Sequence, residues 1–177
     1  MFRTLLLSLG CLLFTLEATA SKSFPFKSGG IQHDAKSKTI KITDLQGMLS
    51  IDITYKNGCR IAGMNLNGKE LLSNSGAYTG VRTGKTVTSQ DAGNQVLVKH
   101  MKQSITLSNI IYTLDTVVIK ESWTFTLEKG SIGWRVDRAY NKAFLAEETL
   151  FPKWNFNGMD LWKGGIIDNG GMVWCKY

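Results

Sequence analysis

The side chains best suited to chemistry in this 177-residue chain are acids and indoles concentrated toward its C-terminal end. Asp137, Glu147, Glu148, Asp160 and Asp168 all lie in the aromatic-rich half. Hydrolysis of a glycosidic bond needs acids in pairs, one to protonate the leaving oxygen and one to activate water or attack the sugar. Nothing in the spacing of these five sets two of them face to face, and solvated or ion-paired acids explain the pattern equally well. Catalytic residues therefore stay unassigned. Residues 151–177 also hold Trp154, Trp162 and Trp174, three of the five tryptophans, together with five glycines. A pyranose presents an apolar face that lies flat on an indole, while its hydroxyls need donors and acceptors such as Asn and Asp. Trp154, Trp162, Asp168, Asn169 and Trp174 are the candidate carbohydrate-binding residues on that ground. Trp123 and Trp134 sit in strand patterns and read as core.

Other chemistries find little support. His33 and His100 are far apart in sequence, without the short spacing that lets two ligands share one hairpin or helix. No metal site, phosphate loop, nucleophile elbow or cysteine redox pair is legible, and no cofactor is expected. The net charge is +7, but its densest group, Lys36, Lys38 and Lys41, is only a solvated cluster. A nucleic-acid partner is not expected.

The N-terminus reads as a secretory signal. Arg3 supplies a positive charge, Leu5 to Leu16 is an almost unbroken apolar run, and Ala18-Thr19-Ala20 offers a small-x-small cleavage site. The run falls short of the roughly 20 residues that a bilayer span requires. A lipobox reading at Leu9-Gly10-Cys11 fails because Leu12, Leu13 and Phe14 continue the apolar core after the cysteine. The expected organisation is a signal peptide at 1–20, a leader or loop at 21–38 and a sandwich domain at 39–177, secreted or periplasmic after cleavage. The mature chain keeps Cys59 and Cys175. One bridge between them is chemically permitted, but two separately buried thiols are the expected state.

The rest of the chain must position these residues with strands. Leu49 to Tyr55 alternates apolar and polar at period two, as a strand with one buried face requires. Asn57-Gly58 then predicts a tight hairpin turn into Arg60 to Leu66, and Asn67-Gly68 a second turn. Further strands are expected at Ala77 to Arg82, Thr86 to Gln90, Gln95 to Met101, Ser104 to Leu107 and Ile110 to Leu114. Val117 to Leu127 is the clearest, turning at Glu128-Lys129-Gly130 into Ile132 to Tyr140. Ala139 to Leu150 is the only plausible helix, with an extended excursion as its alternative. The expected fold is all-β, an antiparallel β-sandwich.

Two strings carry a resemblance. The segment from Ile51 to Leu72, with DITYKNGCRIAGMNLNGKELL at its heart, is one. Glu121-Ser122-Trp123-Thr124-Phe125 followed by Ile132-Gly133-Trp134-Arg135-Val136-Asp137-Arg138 is the other. Both resemble the N-terminal β-supersandwich, galactose-mutarotase-like, of secreted bacterial glycoside hydrolases, and the likeness runs over 39–177. In such enzymes the sandwich commonly precedes an α/α-barrel that carries the catalytic acids. The resemblance thus implies a fragment of a longer enzyme, with a catalytic domain or partner chain packed on its C-terminal end. The related mutarotases use paired histidines and a glutamate, and that activity is carried to no residue here. The leading expectation is a non-catalytic or incompletely catalytic β-sandwich domain of a secreted carbohydrate-degrading enzyme. A free-standing carbohydrate-binding or surface-interaction module and a mutarotase-like sugar epimerase are the alternatives.

Overall fold

The computed structural model describes residues 29–158 and the backbone of 165–168 and 171–174. In chain order the strands are β1 (Gly30–Asp34), β2 (Thr39–Thr43), β3 (Leu49–Thr54), β4 (Arg60–Leu66), β5 (Lys69–Glu70), β6 (Leu72–Thr83) and β7 (Lys85–Thr88). A 3-10 turn at Ser89–Asp91 leads to β8 (Leu97–His100), β9 (Ser104–Leu114), β10 (Val117–Glu128), β11 (Ser131–Tyr140) and β12 (Glu148–Phe156). A separate hairpin pairs β13 (Gly165–Asp168) with β14 (Gly171–Trp174).

Two antiparallel sheets make the body. The larger has eight strands in the order β1-β2-β3-β4-β6-β12, with β5 added to β4 and β7 to β6; the smaller runs β11-β10-β9-β8. The chain is therefore all-β and arranged as a sandwich. Each sheet buries one face, and the alternation that does so is visible in the residues. Ile40, Ile42, Ile51, Ile53, Ile61, Ala77 and Val81 project inward from the larger sheet. Ile105, Leu107, Ile110, Tyr112, Ile119, Trp123 and Phe125 meet them from the smaller one. Burial of these β-branched and aromatic side chains is the main stabilising term.

Several expectations change in detail. Residues 30–34, read from sequence as part of a leader or loop, form β1, hydrogen-bonded to β2 from Gly30↔Thr43 to Asp34↔Thr39. Asn57-Gly58 does not make a two-residue turn. The connection spans 55–59, and only Gly58 takes positive φ, at 85°. Its backbone lies so close to the 3-10 turn that a Cβ there would stand 1.9 Å from the Gln90 carbonyl oxygen. The tight turn is Asn67-Gly68, where both residues have positive φ (51° and 84°), joining β4 to β5. The hairpin closed by Lys129-Gly130 forms as expected, pairing Glu128 with Ser131. Ser104 to Leu107 and Ile110 to Leu114 are one strand, interrupted by a bulge. Residues 139–150 hold no helix: the end of β11, a loop and the start of β12 occupy them.

Pro152 falls inside β12, next to the register shift between Leu150 and Lys153. An edge strand at a bulge tolerates a residue that cannot donate to the ladder.

Candidate functional site

The bulge in β9 positions the most heavily bonded side chain in the described residues. Glu121 pairs with Ile110 across β9, while Trp123 pairs with Leu107, so Ser108 and Asn109 stand opposite Ser122 alone. Asn109 absorbs the extra residue at φ 57°. This lets both halves of β9 face inward around Glu121, which is 1% exposed. Its Oε1 accepts hydrogen bonds from Tyr112 Oη (2.6 Å) and Arg138 Nε (2.6 Å). Its Oε2 accepts from Thr79 Oγ1 (2.5 Å) and Trp123 Nε1 (2.8 Å). The donors come from β6, β9, β10 and β11, so one carboxylate ties the two sheets together. Burial and the Glu121 charge push the Tyr112 hydroxyl well up from its ordinary pKa and raise the buried Cys59 thiol as well. A carboxylate whose acceptor sites are all engaged by protein donors has none left for a substrate. Glu121 is a structural anchor.

Arg138 extends the network to the neighbouring strand. It forms a 2.6 Å ion pair with Glu121, donates from Nη2 to the Leu150 carbonyl of β12 (3.2 Å), and lies 5.0 Å from the centre of the Phe151 ring. Its Nη1 and the Trp134 Nε1 are buried and, among the described residues, have no hydrogen-bond partner.

These residues mark one end of the sandwich. β11 and β12 are the last strands of their sheets, and their inner faces carry an aromatic ladder. Phe125 stacks on Trp134 with ring centres 5.5 Å apart, Trp134 meets Trp154 edge-on at 5.7 Å, and Trp154 stacks on Phe156 at 5.8 Å. Trp134, Val136, Trp154 and Phe156 are packed against the core yet only half-buried. Tyr140, Leu145 and Phe151, on or just beyond the same two strands, are exposed.

The opposite end carries two histidines, His33 part-buried and His100 exposed, beside exposed Leu97 and Met101. β1 and β8 terminate their sheets there. His33 pairs across its ladder with Ile40, and His100 with Ile105, both fully buried residues, so both imidazoles are on inner faces. His100 Nε2 lies 2.9 Å from His33 Nδ1, and His33 Nε2 lies 2.5 Å from the hydroxyl of buried Tyr55. No group of three or more metal-ligating side chains occurs among the described residues.

Of the residues singled out from sequence, Trp154 is on the inner face of β12, opposite Ala77, with its ring against Trp134 and Phe156. Asp168 and Trp174 are described only as backbone positions of β13 and β14. Trp162, Asn169, Asp160 and Cys175 lie outside the described residues, as does the segment 1–20. Asp137 is held by Arg135 at 2.7 Å, and Glu147 and Glu148 share Arg82 at 3.2 and 2.9 Å. These three acids are spread over ion pairs and form no facing couple. A pair that sequence spacing did not suggest flanks Gly63. A Cβ there would stand 3.3 Å from Glu70 Oε2 and 3.6 Å from Asp52 Oδ2. They line an open polar hollow on the outer face of the larger sheet, with Lys41, Ser50 and Asn65. Asp52 pairs with Lys41 at 3.7 Å, and Glu70 Oε1 accepts the Met64 and Leu72 amides.

No helix among the described residues is long and apolar enough to cross a membrane. Comparison with protein-family models, curated proteins and solved structures finds no match to this chain.

Proposed function

We propose that this chain is the non-catalytic β-sandwich domain of an exported carbohydrate-degrading glycoside hydrolase, packing by its β11/β12 end against the domain that carries the catalytic acids. The observation that carries the reading is a half-buried row of indoles and a phenyl on β11 and β12. It stands at the mouth of the core, beside two strand edges that pair with no further strand among the described residues. Long edges with apolar inner faces are a liability unless covered, and the resemblance to supersandwich domains supplies the class of cover. Residues 1–20 supply the export signal in this reading, and polysaccharide is the substrate of the whole enzyme.

The purified chain should release no reducing ends from neutral or acidic polysaccharides above the rate without protein. Glycosidic hydrolysis requires two carboxyl groups fixed roughly 5–10 Å apart across a substrate cleft. Asp52 and Glu70, which flank Gly63, lie on an open sheet face with one oxygen of each already committed. Turnover abolished by Glu70→Gln, Asp160→Asn or Asp168→Asn would place the catalytic pair inside this chain and overturn the reading.

A further inference from the structure

The β1/β8 end brings titratable groups from the two sheets together. His33 and His100 come from different sheets and from positions 67 residues apart in sequence. β1 and β8 are the terminal strands of their sheets, and no ladder joins them. The Tyr55–His33–His100 chain is thus a polar bridge across the mouth of the sandwich. We infer that this chain is an acid-released latch: it holds β1 against β8 while the imidazoles share one hydrogen-bonding proton, and lets go when both are protonated.

The chemistry follows from the inventory of imidazole. Between two neutral rings, one nitrogen donates and the other accepts. When both rings are protonated, every ring nitrogen is a donor, and two cations then face each other at the same 2.9 Å. Tyr55 fixes which nitrogen of His33 faces His100, because it occupies the other one.

The groups facing the latch are few. Asp34, the next residue on β1, favours the charged form of His33; the turn hydrogen bonds from Ser37 and the Lys36 amide hold its own carboxyl below the usual range. It therefore stays negative throughout the window that matters. Tyr55 comes from the loop after β3 and His100 from β8. The cross-strand neighbours on β2 and β9, Ile40 and Ile105, carry no charge. Burial first, and the His100 charge second, outweigh Asp34 and hold the His33 pKa below its ordinary value. The sign is then fixed. Below the unfolded value of about 6.5 the unfolded chain binds the proton more readily than the folded one, so stability falls as the medium is acidified.

The test is amide hydrogen exchange on the full chain between pH 8 and pH 5, corrected for the intrinsic pH dependence of exchange. Protection of the β1 and β8 amides should fall about tenfold for each pH unit by which the His33 pKa is depressed, while β10 stays protected. His100→Gln removes the second titrating ring and should show a smaller fall in β1 protection over the same range, since burial still acts on His33. His100→Ala should give weak β1 protection at every pH. Three results would overturn the latch. One is unchanged β1 protection in the parent protein from pH 8 to 5. Another is the same pH response in His100→Gln. The third is loss of β1 protection at pH 7.5 on adding EDTA, which would make a bound metal the bridge.

Discussion

Glu121→Ala should lower the unfolding free energy by about 3–5 kcal/mol, the cost of removing one partner of a buried ion pair. The loss comes from what the substitution strands. Arg138 keeps a guanidinium with a side chain only 5% exposed and no anion beside it, and Thr79, Tyr112 and Trp123 lose the acceptor of their buried donors. Single domains are stable by only about 5–15 kcal/mol in total, so much of the variant should be unfolded under mild denaturant. A compensating pair separates charge burial from mere crowding. Glu121→Leu combined with Arg138→Met removes both charges and fills the space with apolar side chains. It should recover only the part due to the stranded guanidinium, because Thr79, Tyr112 and Trp123 still lack their acceptor. Urea titrations of the three proteins measure this. A single variant as stable as the parent would show that the network contributes nothing.

Trp123→Ala should be comparably severe. The indole is fully buried, touches Phe125 and Trp134, and truncations of such a residue cost about 3–5 kcal/mol. Trp123→Phe divides the effect into its parts. It retains most of the packing but loses the N–H that reaches Glu121, so its cost should be about 1–3 kcal/mol. Denaturant midpoints with an unchanged slope would assign both effects to stability alone. If Trp123→Ala unfolds at the parent midpoint, the core is elsewhere than between β10 and its partners.

What could be read in advance and what could not has a consistent physical basis. Val117 to Leu127 was legible because every second residue except Glu121 is apolar and the strand is central, with a buried inner face. β1 was not, because Gly30-Ile31-Gln32-His33-Asp34 offers a single apolar residue and owes its pairing to β2. The bulge at Asn109 hid the unity of β9: the apolar positions change parity there, from Ile105 and Leu107 to Ile110, Tyr112 and Leu114, so period-two reading breaks the strand in two. Of the two Asn-Gly pairs, only Asn67-Gly68 makes the tight turn, since Gly58 is bound to its packing against Gln90. The Glu121 anchor did leave a trace. In Ile119, Glu121, Trp123 and Phe125 a carboxylate occupies an inward position of an otherwise apolar alternation, and such a residue must bring its own donors. The histidine latch left none, because it exists only once two sheets have closed. Trp162 and Asn169, expected from sequence at a sugar site, lie outside the described residues, and Trp154 is shared between the core and the β11/β12 end.

In the proposed role, this sandwich serves a polysaccharide-degrading enzyme without performing the hydrolysis. The decisive experiment depletes the culture fluid of the source cells with antibody raised against the purified chain. Depletion should remove a polysaccharide-degrading activity along with the sandwich, although the purified chain is expected to have none. Complete removal of the sandwich with every such activity left undiminished would contradict it.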